Sequence, residues 1–265
     1  MGSPESPDRA REGVGLSERP AAELWDSAAD YERIAQRLAP VHDELVARLE
    51  PGPGVRWLDV GTGTGEVARR AAEAGAEVTG IDIASGMVDA ARSKVPTATF
   101  EVGDAQALPY EDASFDVVSS SFGLIFAPDH EAVARELARV SRDRVGITAW
   151  EPEPDLIELY ARFGVDSPER RAHFEWGTRP RVQQLLAPAF ELEIERRAWI
   201  LEGVDGEEIW RLWSTSAPPF RALVEGLGDR REEFHQAHVD YWERFRVGQK
   251  VRVARTYLIV VGKKK

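Results

Sequence analysis

Short β-type runs alternate with helix-type segments between residues 55 and 150, and this alternation limits the possible folds more than any other feature of the sequence. The pattern predicts strands at Val55–Val60, Ala76–Asp82, Ala98–Val102, Ser114–Ser120 and Arg144–Trp150, and helices at Glu66–Ala74, Ser85–Val95 and Asp129–Ser141. The apolar runs of the strands are continuous, as expected for strands that are covered on both faces. The sequence therefore predicts an α/β fold in which helices wind around a parallel sheet.

The segments before this core have a different pattern. Residues 1–20 combine Pro, Gly, Ser and charged residues with little apolar periodicity, so we expect a disordered tail. In the segment 21–53 apolar residues recur at steps of three and four, which predicts an amphipathic helical flap that Pro40 splits in two. The predicted core then spans residues 54–150.

The remaining segment, residues 151–265, is predicted to lie on the substrate side. It contains two strand-like runs, Phe190–Leu201 and Val251–Val261, and a helical cap at about 206–247 between them. Several large aromatic residues follow the fifth strand, and they fit either a lid that lines an apolar pocket or the docking of a cap on the sheet. These residues are Trp176, Trp199, Trp210, Trp213, Phe220 and Trp242.

Composition excludes several classes of function. The chain of 265 residues has 34 Lys and Arg against 46 Asp and Glu, a net charge of −12, which argues against binding to nucleic acid. There is no cysteine, which excludes disulfides, thiolate zinc sites and cysteine nucleophiles. No uninterrupted apolar run reaches the ~18 residues of a membrane span, so we expect a soluble cytoplasmic protein.

The most informative motif is the glycine-rich loop that follows the first predicted strand. Gly61, Gly63 and Gly65 allow a tight turn and a close approach of the backbone to a ligand at the start of a helix. A dinucleotide site has the spacing G-x-G-x-x-G, whose third glycine is replaced here by Glu66. Asp59 at the mouth of this loop would repel a pyrophosphate but suit a cation, so the motif favours a positively charged nucleoside over a bend without ligand.

Two further acidic residues follow strands. Asp82 ends the second strand, where doubly wound folds place a carboxylate that accepts the ribose hydroxyls. Alternatively, Asp82 caps the helix that begins near Ser85. Asp104 follows the third strand, where it would accept a proton from an exocyclic amine or simply form a turn.

The chain resembles the class I S-adenosylmethionine-dependent methyltransferases, the broad group that includes the ubiquinone and menaquinone biosynthesis enzymes. The resemblance covers residues 20–150 through the glycine loop, Asp82, Gly103–Ala105 and Phe115–Asp116, and it covers the rest of the chain only in layout. It implies a doubly wound, Rossmann-like seven-stranded sheet in the order 3-2-1-4-5-7-6 with the last strand antiparallel. The Pro-Gly-Gly turn that usually precedes the fifth strand is replaced by Ser141–Arg144, which shortens or reshapes that turn.

The resemblance assigns S-adenosylmethionine as the cofactor and S-adenosylhomocysteine as its product. The backbone of Gly61, Thr62 and Gly63 would face the methionine part of the cofactor, and Asp59 would organise the loop directly or through water. Ser121 and Phe122 lie in the loop after the fourth strand. They would border the transferred methyl group or merely pack at the end of that strand.

The adenosine part is assigned to the second and third strands. Asp82 would hold the ribose hydroxyls, and Ile83 and Met87 would line the adenine face. Asp104 would accept from the adenine amine, and the Ala105 N–H would pair with a ring nitrogen. Trp25 and Tyr31 in the flap would either cover this cofactor or pack the helices.

The implied reaction is methyl transfer to a small organic acceptor by in-line displacement. Such a reaction mainly needs aligned, dry reactants, and a general base is optional. No catalytic residue and no metal site is predicted, because none of the histidines stands in a diagnostic motif: His42, His130, His173, His235 and His238. The alternatives are a non-catalytic cofactor-binding or regulatory protein, use of the same cofactor without methyl transfer, and a nicotinamide dehydrogenase.

Overall fold

The computed structural model describes residues 21–26 and 28–265, so the predicted tail at 1–20 lies outside the described residues. The described residues begin with three helices, α1 (Ala21–Leu24), α2 (Ala28–Arg37) and α3 (Ala39–Arg48). Pro40 stands in the first turn of α3, where its missing N–H leaves no intrahelical bond unmade. The helical pattern is therefore interrupted where the sequence predicts.

The alternating region contains five strands and three helices. In chain order these are β1 (Arg56–Val60), α4 (Glu66–Glu73), β2 (Glu77–Asp82), α5 (Ser85–Lys94), β3 (Thr99–Val102), β4 (Phe115–Ser121), α6 (His130–Val140) and β5 (Ser141–Trp150). The second half continues with α7 (Pro154–Arg162), α8 (Pro168–Ala172), α9 (Arg179–Leu186), β6 (Phe190–Gly203), α10 (Gly206–Ser216), α11 (Pro218–Gly226), α12 (Arg231–Glu243), β7 (Arg246–Val247) and β8 (Lys250–Lys264).

The strands form one sheet in the order β3-β2-β1-β4-β5-β8-β6, with β7 paired to β8. The first five strands are mutually parallel, and β8 runs antiparallel to both β5 and β6. The predicted doubly wound order with its antiparallel last strand is confirmed. The order reverses between β1 and β4, which is where ligands bind in open α/β sheets.

Two local expectations need correction. The sheet contains an additional short strand, β7, inside the stretch predicted as the helical cap, because Gly248 (φ +61°) allows a tight hairpin into β8. The fifth strand also begins earlier than predicted: Ser141 already pairs with Phe115, so α6 passes directly into β5 and no separate turn remains at Ser141–Arg144.

The sheet is buried on both faces. Neighbouring residues of β1 show this clearly, because the Trp57 side chain packs into one apolar cluster and the Leu58 side chain into the other, and both are fully buried. Helices α3, α4 and α5 cover the first face, and α6 and α9 cover the second. In the described part of the chain, no helix has both the length and the apolarity that a membrane span requires.

Candidate functional site

The glycine loop joins β1 to α4 in a strained backbone conformation. Gly61, Gly63 and Gly65 have φ values of +64°, +53° and +83°, which L-residues with a Cβ rarely adopt. A Cβ on Gly61 would lie 3.0 Å from the Cα of Gly123, in the loop after β4. The loops of β1 and β4 therefore meet backbone to backbone, which requires a glycine at position 61.

Asp82 connects the glycine loop to the end of β2. Its Oδ2 accepts the Gly63 N–H at 2.8 Å, and its Oδ1 accepts the Ala84 N–H at 3.0 Å. Burial raises the pKa of this carboxyl, and the two backbone N–H groups partly oppose that rise. A carboxylate has about four acceptor sites, so Asp82 retains the capacity to accept hydroxyl groups of a ligand. Asp82 does not cap α5, however, because Ala84 is itself the N-cap residue and the first-turn N–H of Gly86 donates to Asp26.

Asp59 lies beneath the loop and not at its mouth, contrary to the expectation from sequence. Its side chain is only 1% exposed, and its oxygens accept the hydroxyls of Thr62 and Ser119, both at 2.7 Å. Ser119 in turn accepts the indole N–H of Trp57 at 2.8 Å. Burial raises the pKa of Asp59 from 3.8 to about 6, although the two hydroxyls oppose this rise. Asp59 therefore holds the loop in place through its direct hydrogen bond with Thr62.

The raised pKa of Asp59 predicts a pH-dependent stability. The folded protein holds this proton more tightly than the unfolded chain, so the contribution of neutral Asp59 is complete below about pH 4 and is lost as the pH rises through about 6. The free energy of unfolding of Asp59→Asn, relative to the parent chain, should therefore increase by about 1–3 kcal/mol between pH 4 and pH 7. Urea unfolding at both pH values measures this difference. A pH-independent difference would contradict the assignment.

The glycine loop opens into a cleft of about 810 Å³ at the carboxyl ends of β1 to β4, here called the glycine-loop cavity. Most of the residues that the sequence assigns to the cofactor line it: Gly61, Gly63, Asp82, Ile83, Met87, Asp104, Ala105 and Ser121. Asp59 and Thr62 line a smaller adjoining space of about 320 Å³, which shares Gly61, Gly63 and Ser121 with the larger cleft. The tertiary structure thus gathers all the predicted positions around one continuous region.

The far end of the glycine-loop cavity combines an apolar wall with an acidic turn. Ile83 is 40% exposed, an unusual exposure for a large apolar side chain, whereas Met87 is buried beneath it. Asp104 accepts the backbone N–H of Gln106 at 2.9 Å and also the Gln106 side-chain amide. Asp104 therefore forms the turn that the sequence offered as an alternative, while its carboxylate still lines the cavity.

Sequence reasoning missed several residues of this cavity. Gln106, Gly123, Phe126 and Pro128 all line it, although no motif marks them. Gln106 is positioned by a second bond, because its Oε1 accepts the Asp129 N–H at 3.0 Å. The signal that would have found these residues is topological, since they follow β3 and β4 at the sheet edge where ligands bind.

A second space, here called the aromatic cavity, adjoins the first and measures about 1030 Å³. Four side chains line both cavities: Trp25, Tyr31, Phe122 and Phe126. The Trp25 ring lies 5.5 Å from Tyr31 and 4.8 Å from Phe126, centroid to centroid. Trp25 and Tyr31 therefore pack against each other and also line both cavities, and their role over a cofactor stays a prediction.

Phe122 lies at the junction of the two cavities in a strained conformation. Its φ is +58°, although it is not glycine, and its N–H donates to the Thr148 carbonyl at 3.1 Å. Its ring stacks on Trp150 with centroids 4.1 Å apart and planes 10° apart. Non-glycine residues in this region cost of order 1–3 kcal/mol and concentrate at functional sites. The backbone of β4 thus holds one aromatic ring between the two spaces.

The aromatic residues after the fifth strand divide between two roles. Trp213, Phe220 and Trp242 line the aromatic cavity. Trp176 and Trp199 are instead buried in the two apolar clusters of the sheet. The large aromatic residues after the fifth strand therefore both line the pocket and pack the cap. Helices α10, α11 and α12 must bury one face on the sheet while they leave space for the cavity beside it.

Two of the five histidines line the aromatic cavity. The His173 ring lies 5.1 Å from Phe126, centroid to centroid. His238 is 1% exposed, and its Nδ1 accepts the indole N–H of Trp242 at 2.8 Å. Burial, together with the positive charge of Arg255, lowers the pKa of His238 to about 3. His238 is therefore a neutral group whose Nδ1 lone pair is already used.

The other three histidines lie outside the aromatic cavity. His42 lines the small space beneath the glycine loop, and burial lowers its pKa to about 4. His130 is buried beside Glu175, and His235 bonds to Glu207 at 2.8 Å. No cluster of three or more His, Asp or Glu side chains within residues 21–26 and 28–265 has a metal-binding arrangement.

Comparisons with known proteins agree with this architecture. A family model described as a methyltransferase domain matches residues 58–145. The nocamycin O-methyltransferase of Saccharothrix syringae is 40% identical over 208 residues, which cover 70% of this chain and 72% of that protein. An uncharacterized protein of Mycobacterium tuberculosis is 36% identical over 192 residues, covering 69% of each chain.

The fold is also similar to that of a putative methyltransferase from Haloferax volcanii, solved with the methyltransferase activator Trm112. The TM-score is 0.62 at 19% identity, and the similarity covers 92% of this chain and 97% of that chain. At this identity the likeness concerns the fold alone.

Proposed function

Because this chain belongs to the class I S-adenosylmethionine-dependent methyltransferases, we propose that it transfers the cofactor's methyl group to a small organic acceptor in the aromatic cavity. The observation that carries this proposal is the junction of two cavities at Phe122. One cavity is lined by the glycine loop and its acidic partners, and the other mainly by aromatic rings. Donor and acceptor would then meet at one shared wall.

The residues of the glycine-loop cavity fit S-adenosylmethionine, the cofactor of this family. The positive φ values of the loop bring backbone without side chains to the cavity wall, and Asp82 keeps acceptor sites for the ribose hydroxyls. We assign the adenine to the exposed face of Ile83 and to Asp104, and the methionine part to the loop around Gly61 and Gly63. When bound, the cofactor supplies a methyl group on a sulfonium, which is an activated leaving group.

The contribution of the protein is mainly alignment and exclusion of water. Four apolar side chains surround the junction of the two cavities: Trp25, Tyr31, Phe122 and Phe126. Holding two reactants in an in-line arrangement removes several kcal/mol of entropic cost from a displacement, about 7–11 kcal/mol in well-oriented intramolecular cases. The nocamycin enzyme is an O-methyltransferase by name, and we propose an oxygen acceptor here as well.

The first test is calorimetric titration with S-adenosylmethionine, S-adenosylhomocysteine and a nicotinamide dinucleotide. We expect micromolar binding of the two sulfur compounds and none of the dinucleotide. Binding of the dinucleotide instead would favour a dehydrogenase, and binding of none of the three would leave the glycine-loop cavity without the proposed ligand.

A variant that fills the aromatic cavity separates catalysis from cofactor binding. Ala217 is the N-cap residue of α11 and lines that cavity but not the glycine-loop cavity. We expect Ala217→Trp to lower acceptor-dependent formation of S-adenosylhomocysteine by at least tenfold, while the Kd of S-adenosylhomocysteine changes less than twofold. The assay uses phenols, quinols and carboxylic acids as acceptors.

The outcomes of this assay decide between the proposal and its main alternative. If no acceptor yields product although the cofactor binds, a non-catalytic cofactor-binding or regulatory protein is favoured. Full activity of Ala217→Trp would exclude the aromatic cavity as the acceptor site.

A further inference from the structure

We propose that the aromatic cavity binds an organic acid as its carboxylate, with Arg255 of β8 as the anion-binding side chain. This inference rests on the proposed function and adds the chemical class of the acceptor. It is carried by a buried cation and two unpaired N–H donors among residues that otherwise line the cavity with apolar rings.

Arg255 is a buried cation in the cavity wall, with only 7% of its surface exposed. Its guanidinium lies 4.7 Å from the centroid of the Trp150 ring and 4.9 Å from that of Trp213. Its Nε donates to the Glu153 carboxylate at 2.8 Å, and one of its terminal nitrogens donates to the same oxygen. Arginine has five N–H donors, and these two bonds to one carboxylate oxygen leave others available for a second anion.

The unpaired polar atoms nearby are also donors. The indole Nε1 of Trp213 and the Nε2 of His238 are buried without a hydrogen-bond partner, and both residues line the aromatic cavity. Since the Nδ1 of His238 accepts from Trp242, the ring proton of the neutral imidazole must be on Nε2. A buried donor without a partner costs about 1–3 kcal/mol. A ligand that presents acceptor oxygens would remove this cost.

The free N–H donors of the guanidinium favour an anion over a neutral carbonyl compound. A buried guanidinium interacts strongly with negative charge, because water does not screen it there. Glu153, at the start of α7, binds it through a single carboxylate oxygen and leaves its other N–H donors unused by this pair. An acceptor carboxylate would complete the coordination of Arg255 from the cavity side.

The position of Arg255 also connects it to the cofactor side. Its neighbour Trp150 stacks on Phe122, which lines both cavities. A carboxylate near Arg255 is thus separated from the glycine-loop cavity by a short path along two rings. The carboxylate would therefore anchor the acceptor, and the oxygen that receives the methyl group would lie on another part of its body, at the junction beside Phe122.

The test compares an acid with its neutral isostere. The probes are 2-naphthylacetate and 2-naphthylacetamide, titrated by calorimetry into the full chain saturated with S-adenosylhomocysteine. We expect the acid to bind at least tenfold more tightly than the amide, and Arg255→Gln to reduce this ratio below twofold. Glu153→Gln should strengthen binding of the acid severalfold, because the guanidinium loses a competing carboxylate.

Two further variants keep the test decisive. Arg255→Gln leaves Glu153 unpaired and can unfold the chain, so the double variant Arg255→Gln/Glu153→Gln replaces the ion pair by two amides. The matched control is Arg252→Gln, on the same strand but at the surface, where Arg252 pairs with Glu202 at 3.0 Å. The control should retain the full preference for the acid.

Equal binding of acid and amide, or an unchanged preference in both Arg255 variants, would overturn the proposal. So would weaker binding of the acid to a folded Glu153→Gln variant. A failure of S-adenosylhomocysteine to bind at the start would instead count against the proposed function.

Discussion

Replacing Asp82 with alanine is expected to weaken the binding of S-adenosylhomocysteine by about 1–3 kcal/mol, the range for hydrogen bonds to a charged group, or roughly 5- to 150-fold in Kd. The variant removes the acceptor proposed for the ribose hydroxyls. It also releases the Gly63 N–H, which Asp82 holds at 2.8 Å. Calorimetry at constant pH measures the change.

The control for Asp82 is Asp89→Ala. Asp89 lies on α5, its side chain is 73% exposed, and among the described residues this side chain bonds to Arg92. We expect its Kd to stay within twofold of the parent value. Asp82→Asn should fall between the two, because the amide oxygen still accepts one backbone N–H but the charge is lost. An unchanged Kd in Asp82→Ala would contradict the ribose assignment.

Gly61→Ala is expected to lower both stability and cofactor binding. The left-handed conformation (φ +64°) costs about 1–2 kcal/mol for a residue with a Cβ, and the new methyl group would meet the Gly123 backbone at 3.0 Å. The backbone fixes the position of the new Cβ, and the atoms that it meets belong to the Gly123 backbone, so neither side can rotate away. We expect a loss of about 2–4 kcal/mol in the free energy of unfolding, and at least a tenfold loss in affinity for S-adenosylhomocysteine.

A substitution at Gly54 separates the cost of the left-handed backbone conformation from the cost of the steric contact. Gly54 has φ +81°, but an added Cβ would meet no atom within 4 Å, so Gly54→Ala measures the conformational cost alone. We expect it to lose about 1–2 kcal/mol of stability with unchanged cofactor affinity. Urea unfolding and calorimetry of both variants give the comparison. Equal effects at the two positions would mean that the approach of the β1 and β4 loops is unimportant.

The sequence by itself predicted the sheet with its order and the positions along the glycine-loop cavity. The strands are buried on both faces, so their continuous apolar runs are easy to detect, and the parallel order follows once the family is identified. The glycine spacing and Asp82 are local signals, since each depends on residues that are adjacent or nearly adjacent in the chain. This local character is why these positions could be assigned without coordinates.

The tertiary structure decided the features that depend on contacts between residues far apart in the chain. Asp59 is buried beneath the loop because Ser119, 60 residues away, completes its hydrogen bonds. The aromatic cavity exists because α10, α11 and α12 fold back over β5 and β8, which brings Arg255 between Trp150 and Trp213. In the sequence Arg255 is one arginine among many charged residues of an alternating strand. Only the packing of distant segments removes it from water and places it in the wall of a cavity.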